Sequence, residues 1–333
     1  MQIFTPNNLF DRFVDHYFLV SVYLSLQTKR NDVSILFANS GIEPTALTVA
    51  VIGDPHLSEK LFDFDVLCLM RERTPLPGTL INKLPNLKLV ITSGMWNASV
   101  DSESLKNKNI IYCGTENKIH STAELAWALI MNSWRGLQAE IQNMKDGNWQ
   151  TTIGRGLKGN TLGVFGLGKQ GLQVANYAKA FGMRVIAWSH NLKQEDCEKI
   201  GVEYVSSEDL FKMSDILTIH TRLSERTRGY IDKNNLKLMK KTSIIVNTSR
   251  GPIIKENDLI KALNNDIISC AALDVYDQEP LPRDHILRKT KNLILTPHIG
   301  YVSEEAYEKF FNGYLKAIEA FINKKPINQI SQN

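Results

Sequence analysis

Residues 161–171 read TLGVFGLGKQG, an apolar run that ends in glycines with the spacing G-x-G-x-x-G. The run predicts a buried strand and the residues after it predict a helix, which is the context in which this spacing indicates a bound dinucleotide. Gly166 would form a tight turn, Gly168 would let the backbone approach a pyrophosphate, and Gly171 would let helix and strand pack closely. The candidate cofactor-binding residues of this turn are Gly166, Gly168, Lys169, Gln170 and Gly171.

Strand-like and helix-like segments alternate from residue 161 onward. Repeated strand–helix–strand units predict a parallel sheet that is covered by helices on both faces. Six strands are also the number found in a dinucleotide-binding doubly wound sheet. The strand-like runs are TLGVFG, RVIAW, DILTIH, SIIVNT, SCAALDV and NLILT.

The N-terminal part of the chain alternates less clearly, with strand-like runs at DVLCLM and LKLVITSG. Near the C-terminus, apolar residues at helical spacing predict a long helix, which we expect to pack on the first domain. The residues of this stripe are Tyr307, Phe311, Tyr314, Ile318 and Phe321. We therefore expect an α/β protein with two Rossmann-like doubly wound parallel-sheet domains and a cleft between them. Residues 1–117 with 304–333 would form the substrate domain, and residues 118–303 the dinucleotide-binding domain.

Residues 121–147 predict one long helix. Ser121 and Glu124 have the spacing of a capping box at its start, and Gly147 is a plausible end. The segment is more apolar than a single packed face requires, and it includes two tryptophans. Packing in the core explains this pattern, and so does a subunit interface; we expect a homodimer through this region.

The composition limits the class of protein. A chain of 333 residues with 43% apolar and 22% charged residues can form two folded domains. The net charge is +4, but the lysines are scattered among acids, so nucleic-acid binding is not expected.

The apolar stretch HYFLVSVYLSL (16–26) has about half the length needed to cross a membrane, so no membrane-spanning segment is expected. The four cysteines lack metal-ligand spacing, which favours a reduced, cytoplasmic protein without a metal site.

The end of the strand RVIAW bears on the choice of cofactor. A carboxylate at this position would bind the ribose hydroxyls of NAD, but the chain has Ser189, His190 and Asn191 there, with Lys193 beyond. A hydroxyl, an imidazole and nearby cations could hold a 2′-phosphate, which favours NADP. Hydrogen bonds from Ser189 or Asn191 to the ribose would serve NAD instead, so both NAD and NADP remain open.

Three residues that can do chemistry follow the later strands. Arg250 in VNTSRGP offers a planar, charged fork that can bind a carboxylate and polarise the adjacent carbonyl. His298 in LTPHIGY can give a proton to the developing alkoxide during reduction. Glu279 in ALDVYDQEP would orient that imidazole and favour its charged form. These three catalytic candidates predict hydride transfer between a nicotinamide and C2 of a small 2-oxo or 2-hydroxy acid.

Over roughly residues 65–305, these motifs in this order resemble the D-isomer-specific 2-hydroxyacid dehydrogenase family. The resemblance implies an NAD(P)-dependent enzyme with the roles just described. It also implies that Asp274 contacts the nicotinamide carboxamide, although a turn cap at the strand end would explain this residue as well. The remaining candidate cofactor-binding residues are Ser189, His190, His220, Thr221, Thr248, Ser249 and Gly300.

The loop after the strand LKLVIT is a candidate substrate site. Ser93, Gly94 and Met95 could turn backbone N–H groups toward an anion, and the resemblance implies that this loop binds the substrate carboxylate. Arg71, at the end of DVLCLM, could contribute or could instead form an ion pair. Trp96 would restrict the size of the substrate.

Two positions depart from the family pattern. Gln170 stands where an apolar residue is usual, and Arg222 stands where proline is common. The alternative function is a dinucleotide-sensing, corepressor-like binding protein on the same scaffold, which would not need a proton relay.

Overall fold

The computed structural model describes residues 21–24, 47–50, 56–116 and 120–330. The chain divides into two compact units, Met1–Lys118 with Glu304–Asn333, and Ile119–Ser303. The strands are β1 (Ser21–Leu24), β2 (Leu47–Ala50), β3 (Val66–Leu69), β4 (Leu89–Thr92), β5 (Ile111–Gly114), β6 (Thr161–Phe165), β7 (Arg184–Trp188), β8 (Glu203–Tyr204), β9 (Ile216–Ile219), β10 (Ile244–Asn247), β11 (Cys270–Leu273) and β12 (Leu293–Leu295). The helices are α1 (Leu57–Leu61), α2 (Gly78–Ile81), α3 (Ser102–Asn107), α4 (Ser121–Arg135), α5 (Leu137–Lys145), α6 (Lys169–Ala180), α7 (Gln194–Glu198), α8 (Ser207–Met213), α9 (Lys233–Leu238), α10 (Glu256–Asn264) and α11 (Glu304–Ile322). Within the described ranges, no helix combines the length and the apolar character that crossing a membrane requires.

The second unit contains a seven-stranded parallel sheet with the order β12-β11-β10-β9-β6-β7-β8. Six of these strands match the six predicted runs, and the seventh, β8, has only two exposed residues and therefore no apolar run to reveal it. Buried residues of α4 and α6 cover one face of the sheet, and those of α8, α9 and α10 cover the other. The strand order reverses between β6 and β9, which is where ligands bind in such sheets.

The first unit contains a five-stranded sheet with the order β2-β1-β3-β4-β5. β3, β4 and β5 are parallel. β1 is antiparallel to both of its neighbours, so this sheet is mixed rather than wholly parallel as expected. β1 lies within the apolar stretch HYFLVSVYLSL, whose other residues are outside the described part of the chain. An apolar run indicates burial but carries no information on strand direction.

The C-terminal helix α11 belongs to the first unit. The hydroxyl of Tyr314 donates a hydrogen bond to the carbonyl of Leu69, at the end of β3 (3.0 Å). Tyr314 and Ile318 are buried as the predicted stripe requires, but the helix buries Phe310 and leaves Phe311 at the edge of the packed face.

The predicted helix 121–147 is two helices. Gly136 adopts a left-handed conformation (φ 64°) that closes α4, and α5 follows it. The predicted capping box is wrong, because His120 is the N-cap and makes no side-chain capping bond. α4 buries Ala126, Ile130 and Trp134, whereas no residue of α5 is buried. Core packing therefore accounts for the apolar residues of α4 but not for those of α5.

Candidate active site

The glycine turn lies at the carboxyl end of β6, where each glycine meets a different environment. Gly166 has a φ of 101°, its N–H donates to the carbonyl of Trp188 (3.0 Å), and a Cβ added there would lie 2.7 Å from the nitrogen of Thr221. A Cβ at Gly171 would collide with the carbonyl oxygen of Gly166. A Cβ at Gly168 would meet no atom within 4 Å. The first and last glycines are required by packing, while Gly168 borders open space that a ligand can approach.

The features beside this turn fit a dinucleotide. α6 begins at Lys169 with Gly168 as its N-cap, and no side chain caps its first N–H groups. These groups and the positive end of a 12-residue helix form an anion site of the kind that binds a pyrophosphate. Directly after β10, the hydroxyl of Thr248 is buried and makes no hydrogen bond within the described residues. A ligand that reached this hydroxyl would satisfy it.

Three further cofactor candidates lie together at the ends of β9 and β10. The His220 N–H donates to the carbonyl of Phe165 (2.8 Å), and its ring Nε2 lies 2.9 Å from the Thr218 hydroxyl. Burial lowers the pKa of His220 to about 4, so the ring is neutral at physiological pH. The hydroxyl of Ser249 donates to the carbonyl of Thr221. The structure thus brings His220, Thr221 and Ser249 next to the glycine turn.

The end of β7 is held by aromatic packing. The ring of His190 lies 4.9 Å from that of Trp188 and 5.1 Å from that of Tyr230. Ser189 is half-buried beside them, and His190 is exposed. The glycine turn is tied to this strand end through the Gly166–Trp188 hydrogen bond. Ser189 and His190 therefore lie at the strand end that binds the ribose 2′-hydroxyl of a dinucleotide in such folds.

Arg226 lies near this strand end and was not among the sequence candidates. Both of its terminal nitrogens are 3.4 Å from the side-chain oxygen of Asn191. Burial lowers the pKa of His190, and the charge of Arg226 lowers it further. The charged run around Arg226 is visible in the sequence, but nothing in it indicates that the loop after β9 reaches the end of β7.

Arg250 and the segment that carries Glu279 follow neighbouring strands and pack on each other. The terminal Nη1 of Arg250, a half-buried residue, donates to the carbonyl of Ser249 (2.8 Å). A Cβ added at Gly251 would collide with the backbone carbonyl of Tyr276. The N–H of Tyr276 in turn donates to Oε1 of Glu279 (2.9 Å). Close backbone packing therefore sets the distance between the arginine turn and the glutamate.

The side chains of His298 and Glu279 contact each other directly. Nδ1 of His298 lies 2.5 Å from Oε2 of Glu279, and the two side chains are 19% and 29% exposed. A carboxylate bound to Nδ1 fixes the tautomer and orientation of an imidazole. With Nδ1 engaged in this way, Nε2 is the ring nitrogen that can exchange a proton with a bound molecule.

The buried carboxylate of Asp274 shapes the turn that carries His298. It accepts hydrogen bonds from the Thr296 hydroxyl (2.6 Å) and from the N–H groups of Ile299 and Gly300 (2.8 Å each). His298 itself has a φ of 54°, a conformation that is uncommon for a residue other than glycine. Burial raises the pKa of Asp274. These bonds are those of a turn cap, and contact with a nicotinamide stays a prediction.

In the loop after β4, which belongs to the first unit, two of the three N–H groups predicted to bind an anion donate to other residues of that unit. The Ser93 N–H donates to the carbonyl of Leu69 (3.0 Å), and the Gly94 N–H donates to the hydroxyl of Thr115 (2.9 Å). Of the three predicted donors, only the N–H of Met95 makes no hydrogen bond within the described residues. Of the predicted backbone donors, the N–H of Met95 is therefore the one that remains for an anion.

Arg71 is tied to the same loop. Its N–H donates to the Ser93 hydroxyl (2.8 Å), its Nη1 to the Ser93 carbonyl (3.3 Å), and its Nε lies 3.8 Å from Glu72. The buried Asn97, which the sequence did not single out, donates to the Arg71 carbonyl (2.6 Å). Arg71 thus has the partners of a structural residue. Trp96 is 68% exposed, so its ring can contact a ligand of this loop.

Comparisons with known proteins agree with this geometry. A family model described as D-isomer specific 2-hydroxyacid dehydrogenase, NAD binding domain, matches residues 127–300. A glyoxylate reductase of Aeropyrum pernix is 39% identical over 68% of this chain and 70% of its own length. A D-3-phosphoglycerate dehydrogenase of Methanocaldococcus jannaschii is 38% identical over 75% of this chain and 48% of its own. The crystal structure of a phosphoglycerate oxidoreductase from Vibrio cholerae O395 is 33% identical, with a TM-score of 0.76 over 80% of this chain and 87% of that one.

Proposed function

The chain belongs to the D-isomer specific 2-hydroxyacid dehydrogenase family and is therefore a nicotinamide-dependent oxidoreductase of 2-hydroxy acids, and we propose that it reduces a small 2-oxo acid of the size of glyoxylate. The observation that carries this proposal is the Glu279–His298 pair at the end of the sheet. A dinucleotide sensor would need a cofactor site but no oriented proton carrier, so the corepressor-like alternative is not favoured.

The proposed roles follow from the chemistry of each residue. Arg250 binds the substrate carboxylate and polarises the carbonyl, which makes C2 a better hydride acceptor. His298 donates the proton from Nε2 to the oxygen as C2 is reduced, and Glu279 stabilises the imidazolium before that transfer. The nicotinamide, when bound, supplies the hydride. In the reverse direction the same imidazole accepts the proton.

The proposed size of the substrate rests on the loop that we propose as the carboxylate-binding loop. Met95 (47% exposed) and Trp96 (68% exposed) place two bulky side chains in this loop. A small acid fits beside these side chains, and glyoxylate is the acid named for the Aeropyrum pernix relative.

We propose NADP as the preferred cofactor. The support is the absence of a carboxylate in Ser189-His190-Asn191, directly after β7, together with the guanidinium of Arg226 near Asn191. NAD would need a hydrogen-bond acceptor for its ribose diol at this position, and a carboxylate is the usual one.

The test is a scan of 2-oxo acids with NADH and with NADPH, followed at the nicotinamide absorbance band. We expect turnover of glyoxylate, slower turnover of phenylpyruvate, and faster rates with NADPH. His298→Ala should abolish most of the activity, and His56→Ala, at an exposed histidine of the first unit, is the matched control. Cofactor binding without turnover of any acid would favour the sensor, and a strong preference for NADH would contradict the choice of NADP.

We also propose a homodimer through residues 121–147. The support is α5, which buries none of its residues and exposes Leu137 (41%), Ile141 (57%) and Met144 (59%). An apolar face of this kind is typical of a protein interface. Ile141→Glu should convert the dimer to a monomer in light scattering, while Gln138→Glu, a new charge at an exposed polar position of the same helix, should not. Equal masses for both variants would refute this interface.

A reduced, cytoplasmic setting is the last part of the proposal. All four cysteines are free thiols. Burial raises the pKa of Cys113 and of Cys270 to about 11, which keeps these thiols protonated and unreactive. Alkylation of the unfolded, unreduced protein should modify four thiols, and fewer would contradict this setting.

A further inference from the structure

The loop between β9 and Tyr230 crosses the end of the sheet. β6 lies between β9 and β7 in the strand order, so a loop from β9 that reaches β7 passes the end of β6, where the backbone of His220 and Thr221 lies against Gly166. Its far end is anchored, because the ring of Tyr230 stacks on that of Trp188 at 5.3 Å. This path brings residues of the loop to the strand end that selects between cofactors.

Arg226 is held on this loop by a buried neighbour. Thr227 is buried, and its hydroxyl donates to the carbonyl of Arg222 (2.7 Å) and accepts from the N–H of Ser224 (2.8 Å). These bonds close the loop on itself and fix the backbone beside Arg226. The guanidinium then lies against Asn191, although its contacts of 3.4 Å are at the long limit for hydrogen bonds. A group with five N–H donors keeps most of them available in such a contact.

The charge of Arg226 is not neutralised by a carboxylate in the part of the chain that the structure describes. Its guanidinium contacts Asn191, and its charge helps to lower the pKa of the neighbouring His190. The positive charge of this site therefore comes from Arg226, and His190 contributes an imidazole whose neutral form is favoured. Ser189 adds a hydroxyl and Asn191 an amide, both of which can donate to an anion.

We propose that Arg226 binds the 2′-phosphate of NADP, with Ser189, His190 and Asn191 completing a site for a phosphate monoester. Arginine suits this ligand because its planar fork matches two phosphate oxygens. The inference rests on the proposal that the protein binds a nicotinamide dinucleotide. It goes further because it names Arg226, in the loop after β9, as the residue that determines cofactor choice, whereas the usual position is directly after β7.

The experiment separates the phosphate from the redox chemistry. Wild type, Arg226→Ala, Arg226→Lys and the control Arg228→Ala are titrated calorimetrically with 2′,5′-ADP, with 5′-ADP and with inorganic phosphate. Arg228 is a suitable control because it lies two residues away on the same loop and its charge acts on Asp277 instead.

We expect wild type to bind 2′,5′-ADP more tightly than 5′-ADP. Arg226→Ala should lose about tenfold or more of the affinity for 2′,5′-ADP, as expected for one charge-assisted contact, with 5′-ADP unchanged. Arg226→Lys should retain part of that affinity, and Arg228→Ala should match wild type.

Two outcomes would overturn the inference. An unchanged ratio of the two affinities in Arg226→Ala would reduce Arg226 to a solvated loop residue. Arg226-dependent binding of inorganic phosphate without any preference for 2′,5′-ADP would indicate a site for free phosphate. Failure of every 2-oxo acid to turn over, with the nucleotide preference intact, would refute the proposed function but leave this inference standing.

Discussion

Glu279→Gln changes one interaction of the candidate site with little change in shape. The glutamine oxygen can still accept from the Tyr276 N–H, as Oε1 of Glu279 does at 2.9 Å. Its amide nitrogen then faces Nδ1 of His298, where Oε2 now lies at 2.5 Å. An amide N–H donates, so Nδ1 must accept. The neutral ring is then favoured, and the charged ring that we propose as the proton donor loses its carboxylate.

The size of the effect follows from the interaction that is lost. A hydrogen bond to a charged group contributes about 1.5–3 kcal/mol, and the lower half of this range suits a pair whose side chains are 19% and 29% exposed. At about 1.36 kcal/mol for each tenfold change in rate, this lower half corresponds to an expected loss in kcat/KM of roughly 10- to 50-fold.

The assay is steady-state reduction of glyoxylate by NADPH at neutral pH, with a thermal melt and a cofactor titration of each protein. Glu279→Gln should bind the cofactor and melt as wild type does while kcat/KM falls. Glu305→Gln, at an exposed glutamate in the first turn of α11, is the matched control. A kcat/KM within twofold of wild type would refute the proposed role, and equal losses of stability and activity would make Glu279 a structural residue.

Three other predictions test the cofactor turn, His220 and Arg250. Gly171→Ala should lower the melting temperature because the added methyl group collides with the Gly166 carbonyl. The added methyl group of Gly168→Ala meets no atom within 4 Å, so this variant should keep the melting temperature but bind the cofactor more weakly. The reverse pattern would contradict these roles. The pKa of His220 is lowered to about 4 in the native protein, whereas the same ring in the unfolded chain binds a proton below about pH 6.5. The protein therefore has its full stability above about pH 6.5 and loses stability as the pH falls toward 4. His220→Gln should flatten this loss in denaturant titrations at several pH values, and an unchanged slope would place the loss elsewhere. Arg250→Lys should raise KM for the 2-oxo acid and lower kcat/KM by about tenfold or more, because an ammonium cannot bind the acid through two parallel bonds; unchanged kinetics would remove Arg250 from the site.

Much of the dinucleotide-binding unit was predictable because its signals are local. The run TLGVFGLGKQG contains its own strand, turn and helix start, and five further apolar runs mark the other main strands of the sheet. Parallel strands end at one edge, so residues that follow β10, β11 and β12 come together without any knowledge of side-chain contacts. The family and the kind of reaction followed from these motifs.

Other features depended on partners that are distant in the sequence. The N–H groups of Ser93 and Gly94 were predicted to bind an anion, but Leu69 and Thr115 accept their hydrogen bonds. Asp274 was expected to contact the nicotinamide carboxamide, with a turn cap as the alternative, and the sequence did not reveal its bonds to residues 296–300. No periodic pattern encodes such bonds, because each joins segments about 20 or more residues apart.

The amino-acid sequence by itself determined the class of fold, the glycine turn and the identity of the residues that we propose to bind the acid and to carry the proton. Tertiary structure alone decided the antiparallel direction of β1, the orientation of His298 by Glu279 and the approach of Arg226 to the end of β7. The physical reason is that residue types and their spacing fix which groups are available and which face is buried. Direction, orientation and proximity arise only when strands pair and loops cross the edge of the sheet.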